Sequence, residues 1–284
     1  MTGDVDLLAS YWTLAIGAEP HVGPEYSSVD FRERVEAAAR AGFKGIGIWH
    51  ADLEHSLKKY TLKDLKRILD DNGIRHVELE FLTDWFVEGE AKKRSDVTKQ
   101  LLFTAAEALG ARSVKVGDFA GQRCPMPHLI ECFAGLCREA AARGTRIGFE
   151  IMPFCLIETL SAARTLVEGA GAANGGIFFD LWHMVKLDIP YAEVARFPMQ
   201  YFAGVEINDG YSRAHSMPDM VVETTQHRQF CGEGEFDVKG FVRQIRDAGW
   251  PGPWGIEVLN RAARQRTIDW LAPHAFNTTI AQFR

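Results

Sequence analysis

A short apolar run followed by a helical pattern recurs eight times along this chain, and that alternation limits the available folds more than any other feature. The runs fall at residues 6–14, 44–50, 75–82, 112–117, 146–152, 176–182, 202–209 and 253–260. They are continuously apolar rather than alternating, as parallel strands covered on both faces must be. Helical patterns follow at 27–43, 61–73, 94–109, 125–144, 158–171, 191–197, 236–250 and 265–284. Thr61 with Asp64 three residues later predicts a capping box. Several units run helix, glycine, strand, as in "ARAGFKGIGI" and "AARGTRIGFEI", where the glycine takes the left-handed residue that ends the helix. Eight such units without a linker or a low-complexity segment predict one (β/α)8 TIM barrel over residues 1–284, not a doubly wound sheet.

Composition narrows the partners. With 46% hydrophobic and 25% charged residues the chain is ordinary globular protein. Its net charge of -6, with no basic tract or stripe, argues against nucleic acid. No apolar run is long enough to span a bilayer, and acidic residues stand at the start where a leader peptide would be basic. The five cysteines are odd in number and show no CxxC pairing, which predicts reduced thiols and a cytoplasmic protein. Assembly into a homo-oligomer is left open.

In a barrel, chemistry collects where the strands end at their C-terminal mouth. The last four runs end alike, at Glu150, Asp180, Glu206 and Glu257. One acid at such a place is an ordinary helix cap, and Asp180 in "FFDLWHMVK" reads equally well that way. Four converging on one mouth repel each other and either hold protons or recruit a cation. Oxygen ligands suit magnesium, manganese or zinc.

The chain resembles the xylose isomerase-like TIM barrels, the sugar phosphate isomerase/epimerase superfamily. "RVEAAARAGFKGIGI" is similar to the family's opening helix and second strand, "GFEIMP" to its fifth strand and "FDLWH" to its sixth. "GEGEFDVKGFVRQIRDAGWPGPWGIEV" resembles its Gly-Glu-Gly turn, following helix and eighth strand. The resemblance implies one divalent ion held by Glu150, Asp180 and Glu257, with His183 facing the substrate. Where many members carry histidine on strand 7, this chain has Glu206, which would be a fourth ligand. An all-carboxylate shell favours manganese or magnesium over zinc or cobalt.

The resemblance further implies a small carbohydrate substrate and proton abstraction beside a carbonyl through a metal-stabilised enediolate, with Glu150 and Glu257 as acid–base pair and His183 assisting. The expected activity is a sugar or keto-sugar isomerase or epimerase. The alternative is a lyase or dehydratase expelling a β-hydroxyl or alkoxyl from a keto-sugar, 3-keto-glycoside, inosose or dehydroshikimate-like ring. Trp49 and His50 end strand 2 and are candidate substrate contacts, Trp49 by stacking or simply by packing the rim. Lys115 would contact substrate or, if it points inward, pair with Glu78, Glu80 or Glu150. Arg228, just before the Gly-Glu-Gly turn, is placed to grip a substrate oxyanion. Trp85 and Phe86 either wall the pocket or cover the core, and the long connection 208–234 reads as a lid or binding loop.

Overall fold

The computed structural model describes residues 5–119 and 123–284. Eight parallel strands close into a barrel in sequence order: β1 Leu7–Ala9, β2 Gly45–Trp49, β3 His76–Leu82, β4 Ser113–Val116, β5 Arg146–Glu150, β6 Gly175–Asp180, β7 Phe202–Ile207 and β8 Trp254–Ile256. β8 pairs back onto β1, with Gly255 opposite Leu8, so no edge is left unpaired. The helices are α1 Phe31–Ala41, α2 His50–Ser56, α3 Leu62–Asp71, α4 Gly89–Leu109, α5 Met126–Ala141, α6 Leu160–Ala170, α7 Leu181–Lys186, α8 Tyr191–Arg196, α9 Met220–Gln226, α10 Val238–Asp247 and α11 Ile268–Ile280. The expected barrel is the one observed.

The local signals act as the sequence predicts. Thr61 and Asp64 form the reciprocal capping box at the start of α3. Gly42 closes α1 at φ 115° and its N–H bonds back to Ala38 and Ala39; a Cβ there would also strike the Phe276 ring. Between strands and helices lies one continuous apolar shell that includes Leu7, Ile46, Leu79, Val114, Ile147, Phe179, Val205 and Ile256 from the strands.

Inside the barrel, side chains are layered. Near the N-terminal end of the strands, Arg112 pairs with Glu78 and donates to the Ala203 carbonyl. Phe178 fills the next level. A Cβ at Gly148 would come within 2.3 Å of its ring and one at Gly204 within 2.1 Å, so those two glycines make the ring's seat. Above Phe178 the interior turns ionic.

Two expected strands far outrun the real ones, the others by one or two residues. The run 6–14 pairs only over Leu7–Ala9, and Tyr11–Leu14 turn into a 3-10 helix; β8 stops at Ile256. In both, apolar residues beyond the pairing leave the barrel wall to pack over its mouth, with Tyr11, Trp12 and Leu259 joining Trp49, Phe81 and Met152 in a second, smaller cluster.

Candidate active site at the barrel mouth

β3 to β8 all deliver an ionisable group to the same place. Lys115 of β4 is 1% exposed, and its ammonium sits among four carboxylates: Glu206 at 2.6 Å, Glu257 at 3.1 Å, Glu80 at 3.5 Å and Glu150 at 3.6 Å. Its Nζ also lies 5.1 Å from the centre of the Phe178 ring. Lys115 thus points inward and finds acids, with Glu78 engaged lower down by Arg112. The ammonium stays protonated: burial opposes the charge, but the carboxylates, Glu150 first, outweigh it and hold the pKa well above the usual lysine range.

A second cation stands above. Arg228 Nη1 donates to Asp180 Oδ2 at 3.0 Å and to Glu257 Oε2 at 2.9 Å, while Nη2 faces His183 Nε2 at 3.2 Å. Thr224 of α9 takes the remaining edge of the guanidinium, and the Trp182 ring lies 5.4 Å beneath it. Asp180 serves two purposes at once. Its Oδ1 caps α7 through the His183 N–H, and its Oδ2 faces the cluster, where Asn208 also donates to it at 2.8 Å. The cap is real, and the same carboxylate also faces the cluster.

Five buried carboxylates therefore share two fixed cations, and negative charge is left over. Burial, then repulsion from Glu257 and Asp180, pushes Glu150 up to about 8 despite Lys115. Burial, reinforced by Glu257, likewise lifts Glu80 to about 7. Glu257 goes the other way, because Lys115 and Arg228 together outweigh the cost of its burial. His183 is pressed well below the usual imidazole range by burial and by the two neighbouring cations, and is neutral.

The donor set fits a divalent ion. Ligand oxygens of Glu150, Asp180, Glu206 and Glu257 lie within 4.8 Å of one another, as do ligand atoms of Glu150, His183 and Glu257. Among the described residues, the buried Glu150 Oε1 has no hydrogen-bond partner, an arrangement otherwise costly. Hard oxygens in excess of positive charge match the requirements of such a cation.

A cavity of about 290 Å³ opens above this floor. Glu150, Glu257, His183 and Arg228 reach it, whereas Lys115, Asp180 and Glu206 are not in its lining. Its walls are mainly apolar and aromatic, with Trp12, Trp49, Phe81, Phe119 and Phe154 prominent. Trp49 stands in the wall, its Nε1 donating to Glu25 at 3.0 Å. His50 does not line the cavity; it opens α2, and its pKa is lowered, chiefly by burial. Trp85 and Phe86 belong to the outer core. The connection 208–234 does contribute to the site: α9 brings Val221, Thr224 and Thr225 to the cavity rim, and Arg228 follows it.

Sequence reading did not find Trp12, Phe119 or Phe154 as walls, nor Ser10 and Asn208 as hydrogen-bond partners of Glu206 and Asp180. One signal existed: each lies just beyond a strand's C-terminal end, where barrel sites are built.

A closed parallel barrel with a cluster of buried acids that could hold a metal ion, at the C-terminal ends of β5 to β8, defines the class. The model of the xylose isomerase-like TIM barrel matches residues 35–274. The chain belongs to that family. It is 31% identical over 251 residues to a 3-dehydroshikimate dehydratase of Pseudomonas aeruginosa, and 28% identical over 256 residues to one of Pseudomonas putida. Each match covers 84% of this chain but 38% of the relative, so the chain spans well under half the length of the curated proteins it matches. Among solved structures, the IOLI protein with a binding zinc atom superposes with a TM-score of 0.84 at 17% identity, covering 98% of both chains. D-allulose 3-epimerase from Methylomonas sp. in complex with D-allulose gives 0.73 at 17%, covering 99% of this chain and 97% of that one. At such identities the structural likeness speaks for the fold alone.

Proposed function

We propose that this protein is a divalent-metal-dependent lyase that removes a proton beside a carbonyl and expels a β-hydroxyl or alkoxyl from a small oxygenated ring. Substrates of the right chemistry are a keto-sugar, a 3-keto-glycoside, an inosose or a dehydroshikimate-like ring. The observation that carries the reading is Glu150: a buried carboxyl at the cavity floor, its Oε1 accepting no hydrogen bond among the described residues and no closer than 3.6 Å to Lys115, with its proton affinity raised to about 8 before any ion binds. Such a group is a stronger base than an exposed glutamate once it is ionised.

Glu150, Asp180, Glu206 and Glu257 are the residues available to hold the ion, manganese or magnesium by donor type. When bound, that ion would polarise the substrate carbonyl and stabilise the charge developing on its oxygen. Glu150 takes the α-proton. Glu257, whose pKa is lowered, remains a carboxylate and orients the substrate from the other side of the floor. His183 accepts from Arg228 through Nε2, so its proton belongs on Nδ1. Among the described residues that N–H has no acceptor, and it can hydrogen-bond to the departing oxygen. The proton that Glu150 took is handed to that oxygen, which leaves as water or alcohol and returns Glu150 to its carboxylate. The aromatic walls seat the ring and keep water from the floor.

The curated relatives, both named as dehydratases, favour elimination over the isomerase or epimerase outcome expected from the sequence. Epimerisation is the second reading, favoured by the placement of Glu150 and Glu257 together at the floor, where one carboxylate can remove a proton and the other return it. Metal-stripped protein, restored with manganese and offered keto-sugars and inososes, distinguishes them by product: an alkene for the lyase, an epimer or isomer otherwise.

A further inference from the structure

Glu206 occupies the same layer as the other three acids, yet its surroundings differ. Both of its oxygens are already engaged. Oε1 accepts from the Ser10 hydroxyl at 2.5 Å and Oε2 from the Lys115 ammonium at 2.6 Å. Glu150, by contrast, has an oxygen with no hydrogen-bond partner among the described residues. Room for the Glu206 side chain is made by the absence of a side chain at Gly255, where a Cβ would fall 2.6 Å from Glu206 Cγ. Lys115 has nowhere else to go: it is 1% exposed, lies over the Phe178 ring, and its nearest carboxylate is that of Glu206. The cavity is lined by Glu150 and Glu257 but by neither Lys115 nor Glu206.

We propose that Lys115 is a built-in counterion that keeps Glu206 out of the metal's coordination shell, leaving Glu150, Asp180 and Glu257 as the protein ligands. The inference rests on the metal-binding reading above and deepens it. An ammonium held by four carboxylates is a fixed positive charge inside the barrel, and Glu206, at 2.6 Å, is the acid nearest to it. The pair positions the cluster: Lys115 also touches Glu257 and Glu150, so it sets where their oxygens stand and limits the charge a divalent ion meets. A barrel with Glu206 free would present four ligating carboxylates and bind the ion too tightly for ready exchange of the other ligands. Lys115 is a positioning residue, neither a nucleophile nor a substrate contact.

The test is a double-mutant cycle on manganese affinity, measured by calorimetric titration of metal-stripped protein. Lys115→Met should tighten binding by at least about tenfold, because a nearby positive charge is gone and Glu206 is released toward the ion. Glu206→Gln should weaken it, and in Lys115→Met/Glu206→Gln the two effects should cancel to within about threefold of wild type. The charge-balanced double variant also serves if Lys115→Met alone does not fold. A double variant as weak as Glu206→Gln, or a folded Lys115→Met that binds no more tightly than wild type, overturns the proposal. Independently of any variant, a crystal structure of the manganese-loaded wild type should show Glu206 still on Lys115 and Ser10. Glu206 within coordination distance would overturn the inference alone. Absence of manganese binding in all four proteins would overturn the metal reading and the inference with it.

Discussion

Arg228 Nη2 stands 3.2 Å from His183 Nε2, and since a guanidinium can only donate, the pair fixes which imidazole nitrogen carries the proton. Both side chains are buried, Arg228 at 2% and His183 at 2% exposure. His183 is therefore a neutral imidazole with its N–H on Nδ1. Nitrogen-detected NMR of the metal-free protein should report that tautomer across the neutral pH range. Arg228→Lys keeps the charge but loses the fork that reaches Asp180, Glu257 and His183 together. Turnover should fall by about 10²-fold or more, with loss of the single His183 tautomer.

Glu150→Gln removes the proposed base while preserving shape. Exchange of the substrate α-proton should drop by about 10²- to 10⁴-fold. Exchange left intact would assign the base elsewhere, with Glu257 the next residue to change.

The pH dependence has a definite sign. Burial holds Glu150 at about 8 and Glu80 at about 7 against an ordinary value of 4.5, so the folded, metal-free protein keeps protons that the unfolded chain has lost. Its stability should accordingly fall as pH rises from about 4.5 toward 8 and level off above that. A cation must displace those protons, so manganese affinity should rise over the same window, with protons released on binding. Thermal melts with chelator and with manganese at pH 5.5, 7 and 8.5, on the order of these pKa values, should diverge increasingly with pH.

Lys186 and Glu223 form another buried pair, 2.5 Å apart, that ties α9 to α7. The same ammonium donates to the Tyr211 carbonyl and the Ser216 hydroxyl, so one side chain gathers the segment that carries Thr224 and precedes Arg228. Lys186→Met strands a buried carboxylate and should cost about 3–5 kcal/mol of stability. Limited proteolysis should then cut within 211–226 before the barrel unfolds. Lys186→Met/Glu223→Leu, which removes both charges, should recover much of the loss.

Much of the barrel was legible because its strands are buried on both faces. β5, β6 and β7 begin and end within two residues of the apolar runs, since apolar character and pairing coincide there. They part company at Tyr11, Trp12 and Leu259, which are apolar for a different reason: they cover the mouth. Periodicity cannot tell an apolar residue in the barrel wall from one folded over its end. The acids at strand ends were equally plain. Their partners were not, because Ser10 and Glu206 lie 196 residues apart in the chain and Lys115 and Glu257 lie 142 apart. An inward lysine needs an acid, and of the three expected Glu80 and Glu150 do face it, but only closure of the barrel brings Glu206 nearest.

The central claim, metal-dependent enolisation followed by elimination, is tested most directly in deuterated water. Manganese-loaded protein is incubated with a panel of keto-sugars, 3-keto-glycosides, inososes and 3-dehydroshikimate, and the products are followed by NMR. The account predicts that at least one ring exchanges its α-proton and loses its β-substituent to give an alkene, and that chelation abolishes both. A product that forms at the same rate with chelator present, or turnover without any α-proton exchange or loss, would contradict it.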